Sequence, residues 1–369
     1  MKRSIQTLLV AGSALALLTS GQVALRAPLE ESPSAAVGSI GADELRHPDK
    51  ATLQRIGSVM AHGDVSDLEH LLNAGLDVNA TDESGTSLLL AATLLNRDDM
   101  VRCLLEHGAD IHQEKDPCVT PLIAAAITGN VNVMDVLLAD PRSDINESAG
   151  NGFTPLIIAS GTGAISSVQV LSALGADPDK CDADGTSPLQ AAFESDAYTP
   201  EIVRCLLEHG ADPNLANKRG LTPLHKAVGH GNATCVSLLL RHGARIDRAD
   251  KAGMTPLMYA AARADEPIVR TLLDNRASVH RRDSSGRTPL IYALLAPVSS
   301  PSDIAAAESD AADGESNIVT PAEKKQVVLR LLEAGADPAI RDSDGRSAYD
   351  YAPTDELRQL FENRRPEKQ

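Results

Sequence analysis

LTPLHKAVGHGNATCVSLLLRHGARID, residues 221–247, is the stretch whose reading decides the fold. Its first half starts a helix. The Thr222 hydroxyl can accept from one of the orphan backbone N–H groups of a first turn. Pro223 then falls at the first helical position, where its missing N–H costs nothing. Gly231 breaks this short helix, and the run from Cys235 to Leu240 suits a second one. Gly243 ends that second helix, because the residue just past a helix often needs positive φ. The unit is therefore helix, turn, helix, then an extended finger leading to the next unit.

The same unit recurs. The helix-starting Thr or Ser falls at Ser87, Thr120, Thr154, Ser187, Thr222, Thr255 and Thr288, in steps of 33, 34, 33, 35, 33 and 33 residues. The close of the second helix recurs as LLNAGLD (71–77), LLEHGAD (104–110 and 206–212) and LLEAGAD (331–337). One such hairpin cannot bury its apolar face alone, so neighbours must stack into a continuous core. The pattern resembles the ankyrin-repeat family, with its period of about 33 residues and its T-P-L-H-x-A core. The resemblance implies an all-α solenoid of about nine helix-turn-helix units over residues 49–361, joined by β-hairpin-like fingers, with the first and last units as caps. Departures are Cys118, in place of the turn Gly of the third repeat, and Arg276, in place of the helix-ending Gly of the seventh. Only His225 keeps the motif His.

Ahead of the repeats, Lys2 and Arg3 precede an uncharged stretch, Thr7 to Leu25, rich in Leu, Ala, Ser and Gly. A basic start, an apolar centre and small residues after it describe a secretory signal peptide. Residues 1–24 are the expected signal, which makes this an exported bacterial protein, periplasmic or secreted; an uncleaved membrane anchor is the rival reading. Residues 25–48, rich in Pro, Ser and Ala, read as a linker. The first unit, with Leu53, Ile56, Val59, Met60, Val65, Leu68, Leu71 and Leu72 in helical register, lacks the Thr-Pro start and reads as a cap. In the eighth repeat an acidic insertion, about 297–319, separates the first helix from a second that opens with the capping-box pattern Thr320-Pro321-Ala322-Glu323. Its low hydrophobicity and one-sided charge predict a disordered loop. A charged tail, 362–369, closes the chain.

Composition fits a binding scaffold. The 369 residues carry a formal charge of -17, 2% aromatic residues and no Trp. That charge is unevenly placed. Residues 63–213 hold 25 acids against 6 bases, whereas residues 214–295 hold 13 bases against 6 acids. In a solenoid this predicts an acidic N-terminal arm and a basic C-terminal third. The basic third reads either as a solvated surface or as a patch for an acidic partner, built by Lys218, Arg219, Arg245, Arg248, Lys251, Arg281, Arg282 and Arg287.

Residues able to do chemistry are few. The spacing of the five cysteines sets them too far apart or out of step for a disulfide framework. His107, His209 and His242 each precede a helix-ending Gly and suit contact with terminal carbonyls better than a metal. No nucleophile with a base and an orienting partner is apparent, nor a Gly-rich phosphate loop. The reading is of a protein that is not an enzyme and uses no cofactor and no metal. Nucleic acid would want bases interleaved with aromatics, and the basic third offers only Tyr259 and Tyr292, so none is expected.

What the family resemblance implies is binding of a protein partner through finger tips and the concave face of the first helices, and a monomer is expected. Carried over, the residue before each motif Thr or Ser faces the groove: Thr86, Val119, Phe153, Thr186, Leu221, Met254 and Arg287. Lys226, Tyr259 and Tyr292 share one first-helix position and extend that surface. The expected partner-binding set is thus Val119, Phe153, Leu221, Met254, Arg287, Tyr259, Tyr292, Lys218, Arg219, Lys251 and Arg282. The alternative is an anionic ligand or lipid head group held by the basic third, with membrane contact otherwise only through an uncleaved signal.

Overall fold

The computed structural model describes residues 40, 44–45, 50–82, 85–112, 119–194, 199–295, 320–352 and 354–362. The expected signal, the acidic insertion, Cys118 and the tail beyond 362 lie outside the described residues. Two compact units divide the chain, Met1–Ala211 and Asp212–Gln369.

In the first unit the helices come in pairs: α1 (Lys50–His62) with α2 (Val65–Asn73), α3 (Leu88–Leu94) with α4 (Asp98–Glu106), and α5 (Pro121–Thr128) with α6 (Val131–Ala139). They continue as α7 (Pro155–Thr162) with α8 (Ile165–Ala173), and α9 (Pro188–Ala191) with α10 (Pro200–Glu208). The motif hydroxyls start the first helices as the sequence requires. Ser87, Thr120, Thr154 and Ser187 each accept from the backbone N–H three residues on. Each such cap contributes roughly 1 kcal/mol. First helices pack on first helices and second on second, so α3, α5, α7 and α9 form one layer and α4, α6, α8 and α10 the other. Leu89, Ile123, Ile157 and Leu189, two residues past each cap or three, are at most 1% exposed and fill the space between the layers.

The second unit repeats the plan with α11 (Pro223–Gly229) and α12 (Ala233–Arg241), then α13 (Pro256–Ala262) and α14 (Glu266–Asp274). Next come α15 (Pro289–Leu295) and α16 (Pro321–Glu333), and finally α17 (Ala348–Tyr351) and α18 (Asp355–Glu362). Thr320 and Glu323 make the capping box that starts α16. The first-helix row runs α11, α13, α15, α17, and the second-helix row α12, α14, α16. Leu357 and Phe361 close the last pair, Phe361 being fully buried.

Arg276, expected where a helix-ending Gly belongs, adopts φ +69°. The chain makes the left-handed turn there and accepts the strain. The described cysteines, Cys103, Cys181, Cys205 and Cys235, are free thiols. Burial pushes the Cys103 thiol up to about 11, with Glu69 and Glu106 adding to the effect. His107, His209 and His242 each set Nδ1 2.8–2.9 Å from the carbonyl four residues back, which satisfies the end of a second helix.

Candidate interaction surface

Five of the finger turns are built around one side chain. In these five fingers an Asp or Asn five residues before the motif Ser or Thr accepts two backbone N–H groups of the tip, whereas Ala149 holds that place before Thr154. Asp182 Oδ1 takes those of Asp184 and Thr186, and Asn217 Oδ1 those of Arg219 and Leu221. Asp250, Asp283 and Asp342 do the same in the fingers that follow.

In the second unit these carboxylates have a second task. Their other oxygen accepts a tyrosine hydroxyl from the first helix behind the finger: Tyr259 to Asp250 at 2.8 Å, Tyr292 to Asp283 at 2.7 Å and Tyr351 to Asp342 at 2.5 Å. Three successive fingers are thereby clasped to their helices. The phenols of Tyr259 and Tyr292 are pushed up to about 12, first by burial and then by the carboxylate each hydroxyl faces. The row is electrostatically continuous. Arg219 and Tyr292 both act on Tyr259, and Arg287 acts on the Tyr292 hydroxyl and on Tyr351. Arg346 lies over the Tyr351 ring, 4.9 Å from its centroid.

His225 begins the row. Its Nδ1 accepts from the Thr222 N–H at 3.2 Å, and its Nε2 meets the Met254 carbonyl of the next finger at 3.1 Å. The ring stands edge-on to Tyr259, with centroids 5.5 Å apart. Burial lowers its pKa, opposed by the hydrogen bond to Met254 and the charge of Asp250.

The finger tips of this unit are also stitched backbone to backbone. Lys251 N–H donates to the Arg219 carbonyl, Ser284 to Ala252 and Ser343 to Ser285, at 2.9–3.1 Å. Glycine is required for so close an approach. A Cβ on Gly220 or Gly253 would stand 2.8 Å from the next finger's backbone nitrogen, and both residues have φ near +80°.

The expected site residues separate into three groups. Val119, Phe153 and Leu221 are corrected: they are 9%, 4% and 7% exposed and do not offer a free face. Phe153 packs among Ile123, Ile157, Ile158 and Ala191, which belong to three successive first helices, α5, α7 and α9. Val119 packs likewise on Leu90 of α3 and Ala124 of α5. An apolar side chain at this position gains more by plugging the seam between neighbouring helices than by standing in water. Met254, Arg287, Tyr259 and Tyr292 are half-buried, with one face in the row. Lys218, Arg219 and Lys251 are exposed at the tips. Arg282, expected in the basic patch, is exposed but acts as a strut, donating to the carbonyls of Gly286 and Arg341.

Sequence reasoning missed Tyr351, Arg346 and the clasping aspartates. The signal was present as Asp-x8-Tyr at 250/259, 283/292 and 342/351. Its last copy was hidden because Ser347 lacks the following Pro.

Chemical groups elsewhere do not converge. Among the described residues no cluster of three or more His, Cys, Asp or Glu could hold a metal. A polar recess in the first unit is lined by Asn96, Thr128, Gly129, Asn130, Val131 and Asn132, a set with neither a carboxylate nor an imidazole. No helix among the described residues is long and apolar enough to cross a membrane.

The family model for ankyrin repeats, in three-copy form, matches overlapping windows from residue 57 to residue 305. The chain belongs to the ankyrin-repeat family. Ankyrin repeats as a class mediate protein–protein interaction. The ankyrin chain is 29% identical over 172 residues to the putative ankyrin repeat protein YahD of Escherichia coli K12, covering 46% of this chain and 86% of that protein. It is 32% identical over 190 residues to the E3 ubiquitin-protein ligase KEG of Arabidopsis thaliana, but spans only 12% of that protein. Among solved structures it superposes on the human ASB11 ankyrin repeat domain with a TM-score of 0.52 and 26% identity, over 68% of this chain and all of that one. The ankyrin-repeat solenoid is thus its fold, and the finger row described above is the part of it that differs from unit to unit.

Proposed function

We propose that this protein is an exported interaction scaffold that binds a protein partner through the fingers and first-helix row of its second unit. One observation carries the choice of surface: Tyr259, Tyr292 and Tyr351 lock three consecutive fingers to their helices, so that half-buried Met254 and Arg287 stand on a rigid, ordered row. A preorganised surface loses little entropy when a partner docks, and half-exposed aromatic, Met and Arg side chains are the types enriched at interfaces. Export rests on Lys2, Arg3 and the apolar run behind them.

Affinity capture from the native source tests the binding surface, with the full chain, Met254→Asp, and Arg102→Glu on the first unit as control. The wild type and the control retain the same partner, and Met254→Asp loses it while melting as the wild type does. Equal capture by Met254→Asp overturns the assignment. For export, N-terminal sequencing of the native protein is expected to begin near residue 25; an intact Met1 in a soluble cytosolic fraction overturns it.

A further inference from the structure

Some cations of each unit are tied into the fold and others are not. In the first unit Arg97, Arg142 and Lys180 are tied into the fold, while Arg102 and Arg204 stay exposed. Arg97 pairs with Asp99 at 2.9 Å and donates to the Gly63 carbonyl, and Arg142 pairs with Asp140 at 2.6 Å and donates to the Ala109 carbonyl. Lys180 donates to the Asn146 carbonyl at 2.6 Å. Each of these reaches back to an earlier repeat. In the second unit Lys218, Arg219, Arg245, Arg248, Lys251 and Arg281 are all exposed. Among the described residues their side chains make no ion pair and no hydrogen bond. The acids nearest them in sequence are already engaged: Asp250 and Asp283 hold the finger turns and the tyrosines. The fold thus withholds its own carboxylates from these cations.

We infer that the second unit's fingers recognise an extended, acidic segment of a partner protein, its carboxylates on Lys218, Arg219 and Lys251 and its intervening side chains against Met254 and the tyrosine row. The inference deepens the reading of this surface as a protein-binding site and rests on it. Lys218, Arg219 and Lys251 sit on two fingers joined by the Lys251–Arg219 backbone hydrogen bond, so the cations are held at fixed spacing. Stacked repeats advance by about 10 Å, and an extended chain rises about 3.3 Å per residue. An acid at every third position of the segment therefore keeps step with the fingers. Beyond Lys251 the tips present Ser284 and Ser285, where the segment needs hydroxyl or amide partners rather than further acids. A segment is favoured over an anionic bilayer by range. Charges act over a Debye length of about 8 Å at physiological salt, so a segment meets only the basic fingers. A bilayer is a broad plane, and the tips beyond Lys251 present Ser284 and Ser285 to it rather than further cations.

The test uses the full chain and a peptide of Glu-Ser-Ser repeats, about 15 residues long, against its Gln-Ser-Ser counterpart, each with a neutral dye. The acidic peptide binds at least about tenfold tighter at about 50 mM salt, and the preference shrinks by about 200 mM, as charge pairing requires. The triple variant Lys218→Glu, Arg219→Glu, Lys251→Glu, altered only at exposed tips, loses at least about tenfold and instead prefers a Lys-Ser-Ser peptide; Arg102→Glu changes nothing. Equal binding of the acidic and Gln peptides at low salt overturns the inference, as does stronger binding to phosphatidylserine vesicles than to the peptide. Failure of the underlying reading looks different. If the triple variant still captures the native partner while Met254→Asp does not, the groove stands and the acidic recognition falls. If neither change affects capture, the groove reading falls with it.

Discussion

Fingers at Val119 and Phe153 in the first unit and at Met254 and Arg287 in the second follow one backbone plan and are fastened by different means. In the first unit the residue before the motif Thr is an apolar plug: Phe153 and Val119 are buried in the seams between first helices. In the second unit Leu221 is still buried, but the next two fingers put half-buried Met254 and Arg287 at that position and are fastened by a tyrosine–aspartate hydrogen bond from behind. A plug spends its side chain on stability. A clasp leaves the side chain beside it available, at the cost of burying part of a phenol against a carboxylate. The charges show a related contrast, for Arg97 and Arg142 in the first unit are tied to earlier repeats and the second unit's tip cations Lys218, Arg219 and Lys251 are not.

The comparison is broken most severely at the plug. Phe153→Ala is expected to destabilise the first unit by about 3 kcal/mol, the usual cost of emptying a buried aromatic site. Urea denaturation measures it. A loss below about 1 kcal/mol would mean that Phe153 is no more a core residue than Met254.

Tyr292→Phe isolates the clasp. Removing the hydroxyl takes the donor from Asp283 Oδ2 while Oδ1 keeps its two backbone N–H groups, and a hydrogen bond to a charged group contributes about 2 kcal/mol. The loss should appear in the second unit only, together with faster hydrogen exchange at the Ser285 and Arg287 amides that Asp283 holds. Unchanged exchange there would show that the turn holds without the tyrosine.

Alkaline pH should weaken the clasps without any mutation. The Tyr259 and Tyr292 phenols lie at about 12, above the ordinary value of about 10. A group with a raised folded pKa adds stability that is complete below its unfolded pKa. That contribution fades as pH rises from about 10 to about 12. A phenolate absorbance titration should show late-titrating tyrosines, with second-unit stability falling across the same window. His225 supplies the opposite edge. Its lowered pKa favours the folded state above about 6.5, and that gain is lost as pH falls below it. His225→Gln should flatten the acid edge of a stability profile and leave the alkaline edge alone.

A smaller effect, of opposite sign, lies at Arg276. Its φ of +69° is strained for any side chain, so Arg276→Gly should raise stability by up to about 1 kcal/mol in thermal denaturation. No gain would mean that contacts of the Arg276 side chain offset the strain.

Much of this was legible in the residues. The step of 33 to 35 between motif hydroxyls sets the number and phase of the hairpins, because capping Thr, N1 Pro and helix-ending Gly are local devices that act on their own chain neighbours. The basic run from Lys218 to Arg287 could be counted, and so could the acidic excess ahead of it. What the residues did not reveal is which side chains those devices leave free. Phe153 and Met254 occupy the same place in the repeat, and only packing decides that one is sealed between α5, α7 and α9 while the other keeps an open face. Asp250 and Asp283 read as ordinary surface acids until the fold brings a tyrosine nine residues on to the oxygen that the finger turn leaves over. Repeat phase is set by local backbone chemistry and can be read along one dimension. Exposure and pairing depend on what the neighbouring repeat places alongside, and that is decided only when the hairpins stack.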